Sequence, residues 1–185
     1  MKKHILVALL FLLATSSALA ASTVTRLTVD LDGQVMVNNS DNPRKLDPSF
    51  AVGADLIFTK TPSAQLGLGM EYQKERPWSS SRTIQFIPIY GFVNYHGTSN
   101  SWRRGTQPYF SGRFGYSLFN GPNSESSNIK SEGGLFYSLG VGINFQDQFR
   151  IEANYASASG QEIYPLSKKT SYTYNRTTVS FGIVF

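Results

Sequence analysis

Cysteine is absent from this chain of 185 residues, and histidine occurs only twice. Without cysteine no disulfide stabilises the fold, and a thiolate metal site is excluded. His4 lies in the N-terminal stretch, so His96 is the candidate for imidazole chemistry. Acyl transfer by a serine needs a general base and an acid that orients it, and no carboxylate lies near His96 in the sequence. We therefore predict no catalytic residue, no metal site and no cofactor.

Long apolar runs and dense basic clusters are also missing. Beyond residue 21 no window approaches the roughly 18 apolar residues of a membrane-spanning helix. The formal net charge is +5, but the cations are scattered, with no run longer than Arg103-Arg104 or Lys168-Lys169. Nucleic-acid binding would call for a basic patch with interleaved aromatic residues, so no nucleic-acid partner is predicted.

The N-terminus has the three parts of a secretory signal peptide in order. A positive segment at 1–4 precedes an apolar run at 5–13, and Ala18-Leu19-Ala20 supplies the small residues of a cleavage site. The apolar run is too short to span a bilayer. We predict that residues 1–20 are a cleaved signal peptide and that residues 21–185 form one domain.

The remaining sequence alternates between apolar and polar residues with the period of two that is typical of β-strands. Eight segments show it: 25–38, 49–60, 64–74, 83–95, 108–120, 133–146, 149–158 and 171–185. In the first segment the alternation predicts two opposite faces, Leu27, Val29, Leu31, Val35 and Val37 against Thr28, Asp30, Asp32 and Gln34. The fourth segment is apolar on both faces and contains Pro88, which predicts a bulge or a register change there.

The connections between these segments differ in length. Tight turns are predicted at 61–63 and 146–148, and longer polar connections at 39–48, 75–82, 121–132 and 159–170. Tight turns and long connections alternate along the chain, and a tight turn is expected at 96–107. The connection there is long instead. Short turns on one rim and long loops on the other are the layout of an antiparallel outer-membrane barrel.

Three observations favour an apolar face that points outward into lipid. The segments are longer than ordinary soluble strands and suit a tilted span of the bilayer. Aromatic residues lie near segment ends, where interfacial girdles occur: Phe50, Phe58, Tyr72, Phe110, Tyr155 and Phe185. In lipid every backbone group must be paired, so the last segment must join the first. The predicted fold is an all-β, eight-stranded antiparallel transmembrane barrel; a soluble ligand-binding barrel is an alternative.

Three features together point to a known family: the signal peptide, the eight segments, and the terminal Phe185 preceded by alternating Phe181 and Ile183. The chain resembles the small eight-stranded outer-membrane barrels of the OmpX, Ail and opacity types, and is similar to the N-terminal barrel of OmpA. The resemblance implies a monomer in the outer membrane of a Gram-negative-type cell. It also implies that Phe181, Ile183 and Phe185 form the signal that the outer-membrane assembly machinery recognises.

Eight strands enclose an interior just wide enough to be filled by side chains. The charged residues predicted to form an ion-pair network in this lumen are Asp55, Glu71, Arg113, Arg150, Glu152 and Arg176. Because an isolated buried charge costs far more than a pair, we expect the arginines to pair with the carboxylates. Barrel size favours a structural plug over a gated pore.

Cations and one aromatic residue in the long loops are candidate contacts with lipopolysaccharide phosphates or another acidic surface ligand. They are Arg44, Lys45, Arg76, Trp78, Lys168 and Lys169. His96 is expected at the membrane interface of the short-turn rim, in the leaflet opposite lipid A.

These features predict a non-enzymatic outer-membrane barrel that serves as an envelope structural component or as a surface-loop interaction or adhesion protein. A narrow porin-like channel for small solutes is the first alternative. An outer-membrane enzyme that modifies lipid is the second.

Overall fold

The computed structural model describes residues 22–38, 42–61, 63–97, 105–123, 128–165 and 168–185, and the predicted signal peptide at 1–20 lies outside them. The strands in this part of the chain are β1 (Ser22–Val37), β2 (Arg44–Leu46), β3 (Phe50–Lys60), β4 (Ala64–Gln73), β5 (Arg76–Ser79), β6 (Arg82–His96), β7 (Thr106–Asn120), β8 (Lys130–Phe145), β9 (Phe149–Ile163) and β10 (Lys169–Val184). None of the described residues belongs to a helix long and apolar enough to cross a membrane.

The eight long strands form a closed antiparallel ring. The ring runs β1, β3, β4, β6, β7, β8, β9 and β10, and β10 pairs with β1 from Val184↔Val24 to Tyr172↔Val37. Closure leaves no sheet edge in the ring, as a barrel in lipid requires. The predicted all-β, eight-stranded antiparallel barrel is confirmed.

The two rims of the barrel differ, as predicted. Tight turns connect β3 to β4 and β8 to β9; Gln146 and Asp147 have left-handed φ angles of 51° and 56°, the conformation that suits a tight hairpin. At the opposite, long-loop rim, β2 pairs with residues 33–35 of β1 and β5 pairs with the start of β6. Neither short strand was predicted, because each lies in a stretch without extended alternation.

The strands on either side of the last long connection extend further than predicted. β9 continues to Ile163 and β10 begins at Lys169, so the predicted loop at 159–170 is wrong over much of its length. In the part of β9 that was missed, the buried inward positions are Gly160 and Glu162, and Ser159 and Gln161 alternate with them. Neither inward residue is apolar, so the alternation of polarity is hard to detect.

A bulge in β1 reverses which residues face inward. The register against β10 shifts between Asp30 and Asp32, and a shift of one residue moves all later side chains to the other face. Asp30 and Val35 are therefore both buried inside, with 1% and 0% exposure. Asp32 points outward and pairs with Lys45 at 3.4 Å. The predicted faces of the first segment are wrong beyond this bulge.

The register change predicted near Pro88 occurs on one side of β6 only. The register of β6 against β7 is unbroken from Gln85 to His96. On the other side of β6, pairing with β4 ends at Ile89 and pairing with β5 begins at Ile84. Between these two pairs the register shifts by one residue, and Pro88 lies in this local gap in the pairing, where a residue without an N–H group is tolerated.

The polarity of the wall inverts along the barrel. From the short-turn rim to the middle of the barrel, which we call its lower part, the outward side chains are apolar and exposed. Examples are Phe114 (66%) and Leu139 (70%). Towards the long-loop rim the apolar side chains turn inward and form the core, which includes Val35, Leu46, Ile84, Phe86, Phe119, Tyr172 and Tyr174. The exposed apolar belt is the surface that a transmembrane barrel presents to acyl chains.

Candidate functional site: the closed lumen and the long-loop rim

Charged and phenolic side chains fill the middle of the barrel; we call this set the lumen network. Its members are Arg26, Asp30, Asp55, Glu71, Arg76, Tyr90, Arg113, Glu152 and Arg176. All of them are buried and lie on the inward positions of their strands or, for Arg76, on β5 at the long-loop end. Their chemistry is that of paired charges in a water-poor interior.

Arg176 connects two carboxylates of the lumen network. Its Nη1 donates to Asp30 at 2.9 Å, and its Nη2 forms an ion pair with Glu71. Asp30 also accepts from the Tyr174 hydroxyl at 3.0 Å and forms an ion pair with Arg76. Each carboxylate is therefore in contact with two arginines, Asp30 with Arg176 and Arg76, and Glu71 with Arg176 and, at 3.8 Å, Arg26.

Two further ion pairs lie nearer the short-turn rim. Arg26 Nε lies 2.9 Å from Asp55, which also accepts from the Tyr90 hydroxyl at 2.9 Å. Arg113 Nη2 lies 2.5 Å from Glu152, which accepts from the Tyr109 hydroxyl at 2.8 Å. In both pairs a tyrosine hydroxyl donates a further hydrogen bond to the carboxylate, in addition to the contact with arginine. Buried charges need such hydrogen bonds as well as an ion-pair partner.

The structure differs from the predicted network at three arginines. Arg150 is buried, but its Nη2 donates to the Gln65 side-chain oxygen at 2.6 Å and not to a carboxylate. Arg76, predicted as a loop contact, is 4% exposed and belongs to the lumen network, because β5 continues the pairing of β4 along β6 and the inward positions change from Gln73 to Arg76. Arg26 was missed, although it shares the even numbering of Thr28 and Asp30 that placed those residues inward.

An aromatic layer closes the lumen at the long-loop end; we call it the aromatic stopper. It consists of Trp78, Phe86, Phe119, Tyr172 and Tyr174. Phe86 lies against Phe119 and Tyr174 with ring centroids 4.9 and 5.3 Å apart, and Phe119 lies 5.1 Å from Tyr172. The five rings thus form a chain of ring contacts inside the barrel at this end, as expected for a small barrel filled by side chains.

A buried carboxylate fastens the third long connection to the barrel. Glu162 accepts hydrogen bonds from the Asn123 backbone N at 2.6 Å and from the Tyr164 and Tyr172 hydroxyls, both at 2.8 Å. Burial and the hydrogen bond to Glu162 raise the pKa of the Tyr164 phenol, which therefore remains a donor. Glu162 was not predicted, because its segment was assigned to a loop.

The long-loop rim is rich in exposed cations. Among the described residues they are Arg44, Lys45, Lys74, Arg82, Lys130, Lys168 and Lys169, and they outnumber the acidic residues of the same rim, Asp32, Asp47, Glu75 and Glu132. The Arg44 guanidinium lies 4.5 Å from the centre of the Trp78 ring, and Trp78 packs edge-on against Tyr172 at 5.9 Å. Trp78 is thus half-buried and holds Arg44 in place on the rim.

His96 does not lie on the outer surface. It is 1% exposed, points into the barrel at the short-turn rim, and lies beside the Tyr109 ring at 5.6 Å. The predicted interfacial position is wrong because His96 has the inward parity of Tyr90 and Asn94 on β6. Within the described ranges no cluster of three or more histidine and carboxylate side chains could hold a metal ion.

A closed ring of eight strands, an exposed apolar belt and a charged interior define an outer-membrane β-barrel. The model of the outer membrane protein beta-barrel domain family matches residues 6–185. The chain belongs to this family and is a protein of the Gram-negative outer membrane.

Nineteen chains of solved structures match the fold. Neisserial surface protein A, NspA, is 9% identical with a TM-score of 0.55, and the match covers 88% of this chain and 96% of that one. Ail of Yersinia pestis is 13% identical with a TM-score of 0.51, covering 89% and 97%. OprG of Pseudomonas aeruginosa is 17% identical with a TM-score of 0.48, covering 90% and 96%. No curated protein matches the sequence.

Proposed function

We propose that this protein is a non-enzymatic, monomeric barrel whose lumen is a structural plug and whose function lies in its long-loop rim. The observation that supports this proposal is the aromatic stopper over the lumen network. Together they fill the barrel with paired charges and stacked rings, which a conducting pore would have to displace. The surface left for function outside the membrane is then the cationic rim.

The chemistry of the rim favours an acidic polymer as its partner, such as the phosphorylated core of lipopolysaccharide or a sulfated polysaccharide at the cell surface. Exposed lysines and arginines attract such polymers over distances of about a Debye length. Arg44 is held against Trp78 at 4.5 Å, so it loses less side-chain entropy on binding than a free arginine would. Lys168 and Lys169 add two exposed charges near the start of β10.

Binding of heparin and of purified lipopolysaccharide to the refolded barrel tests the rim. We expect binding that weakens as salt is raised, and that weakens further in the triple variant Arg44→Gln, Lys168→Gln, Lys169→Gln. The control is Lys60→Gln, a lysine at the opposite rim that pairs with Asp147 at 3.3 Å. If the triple variant and Lys60→Gln bind equally well, the three rim cations do not bind the polymer. The proposed function would then be that of an envelope structural component.

Conductance in planar bilayers separates the plug from the narrow channel. We expect no steady openings for the wild type, and openings in the double variant Phe119→Ala, Tyr172→Ala, which removes two rings of the stopper. Steady openings of the wild type would favour the channel. A change in the mass of lipid A after incubation with the barrel would favour the enzyme.

Two proposals concern export and assembly. We propose that residues 1–20 are removed as a signal peptide and that Phe181, Ile183 and Phe185 present the assembly signal. The three side chains lie on the outward face at the end of β10 and are 45%, 40% and 75% exposed. Replacing all three by serine should slow assembly of the heat-modifiable folded form in cells, whereas Phe149→Ser on the neighbouring strand should have a smaller effect.

A further inference from the structure

Polar side chains gather inside the barrel at the short-turn rim, at the end away from the aromatic stopper. This mouth cluster consists of Gln65, Asn94, His96, Asn144 and Arg150. Its members lie within about two residues of the ends of their strands, and Asn144 is the cross-strand partner of Arg150. The cluster is thus one layer inside the mouth that faces the short turns, which is the periplasmic side of outer-membrane barrels.

Several atoms of the mouth cluster are buried and have no partner among the described residues. Asn94, His96, Asn144 and Arg150 are 3%, 1%, 2% and 5% exposed. The atoms without a hydrogen-bond partner are the Asn94 and Asn144 side-chain oxygens, His96 Nε2 and Arg150 Nε. Because buried polar groups are nearly always hydrogen-bonded, four unpartnered atoms in one place indicate a site that binds a polar ligand.

Charge identifies the kind of ligand. In the described part of the chain Arg150 has a neutral acceptor, Gln65 at 2.6 Å, and no carboxylate within ion-pair distance. The nearby acids are already paired, Glu152 with Arg113 at 2.5 Å and Asp147 with Lys60 at 3.3 Å. Glu162 lies at the far end of the same strand, roughly 40 Å away at about 3.3 Å per residue.

We infer that the mouth cluster binds a small oxyanion, a phosphate or a carboxylate, that enters from the short-turn rim. The Arg150 guanidinium offers a planar fork that matches two oxygens of such an anion. His96 donates from Nε2 in the tautomer whose Nδ1 accepts from Asn144 Nδ2, 3.5 Å away. The Asn94 amide can rotate to present its NH₂ group to the anion, whereas Asn144 keeps its orientation because its NH₂ group donates to His96. The Tyr109 ring lies 5.8 Å from Arg150 and supports the guanidinium.

The lumen network and the aromatic stopper lie between this site and the loop end, so the anion is expected to enter and leave at the short-turn rim. The inference is therefore independent of the rim proposal: one concerns the periplasmic mouth and the other the external loops.

Titration calorimetry of the refolded barrel with inorganic phosphate, and separately with acetate, tests the site. We expect one binding event per barrel and a loss of affinity of about tenfold or more in Arg150→Gln, because a charge-assisted hydrogen bond is lost. The matched control is Arg82→Gln, an exposed arginine at the opposite rim, whose affinity should equal that of the wild type. Binding of phosphate alone would identify a free phosphate site, and binding of acetate alone a carboxylate site. Binding of neither anion, or equal affinity in both variants, would overturn the inference.

A second measurement uses the wild type and does not depend on a variant that folds. His96 and His4 are the histidines of the chain, so the imidazole nitrogen resonances of a protein that begins after residue 20 report on His96 alone. Saturable shifts of these resonances with the anion that binds are expected. Unchanged resonances at saturating anion would contradict a site that includes His96.

Discussion

Arg176 is the residue on which most of the lumen network depends. It contacts Asp30 and Glu71 together, so Arg176→Gln leaves two buried carboxylates with reduced compensation. We expect a loss of about 3–5 kcal/mol in unfolding free energy, the usual cost of removing one partner from a buried ion pair. Urea unfolding of the refolded barrel in lipid vesicles measures this loss. Arg82→Gln, at an exposed position, should change stability by less than about 0.5 kcal/mol.

A double variant separates the ion pair from simple packing. Glu71→Gln combined with Arg176→Gln removes both charges, so it should cost less than the sum of the single changes. Strict additivity would show that the two residues are energetically independent, in spite of their contact.

At this scale the sequence shows which residues face inward but not which of them meet. Arg26 could have been found, since it has the parity of Thr28 and Asp30. Arg76 could not, because it faces inward towards Asp30 only after the parity change between Gln73 and Arg76, where β5 continues the pairing of β4 along β6. The neutral partner of Arg150, Gln65, lies 85 residues away in the chain, and such a pairing depends on shear between strands rather than on local pattern.

The bulge in β1 is an element-scale feature that cysteine labelling can test. Because the chain has no native cysteine, single substitutions report without background. We expect Gln34→Cys to react with a water-soluble maleimide in the folded protein and Val35→Cys to remain protected. The inverse pattern would mean that β1 keeps one alternation through Asp30 and Asp32.

The carboxylate of Glu162 allows a test of loop attachment. Glu162→Gln places an NH₂ group against the donors of Asn123, Tyr164 and Tyr172, so the connection after β7 should detach. We expect faster trypsin cleavage at Lys130 in the folded barrel, since cleavage follows local opening. Asp47→Asn, an exposed acid of the same rim, is the control. Equal cleavage rates for the two variants would contradict the role of Glu162.

Strand positions were predictable because alternation is a local signal that each strand carries by itself. The β1 bulge and the strands β2 and β5 were not, since a bulge depends on the partner strand and three or four residues are too few to show a period. The upper part of β9 shows a third limit: its inward residues, Gly160 and Glu162, are not apolar, so the alternation carries no contrast in polarity.

Along its axis the barrel has two parts that differ in the polarity of their inner and outer faces. Its lower part has an apolar outside and a charged inside, whereas its upper part has an apolar core and a polar outside, as a soluble barrel does. On β10 the outward residues change from Phe181 and Val179 to Asn175 and Thr173, while Tyr172 and Tyr174 turn inward. From this change we expect the upper boundary of the hydrocarbon between Val179 and Asn175.

Spin labels along one face of β10 test both the orientation of the wall and this boundary. Single cysteines at Phe181, Val179, Asn175 and Thr173, each carrying a nitroxide, are compared in the barrel refolded into vesicles. Oxygen concentrates in hydrocarbon and a nickel chelate in water, so collisions with oxygen should dominate at Phe181 and Val179, and collisions with nickel at Asn175 and Thr173. The inward Ser180 should meet neither reagent often, because it is 2% exposed in a filled lumen. If oxygen reaches Ser180 as readily as Phe181, the apolar stripe does not face the lipid; if nickel reaches Phe181 as readily as Thr173, the barrel does not lie in the membrane at this height.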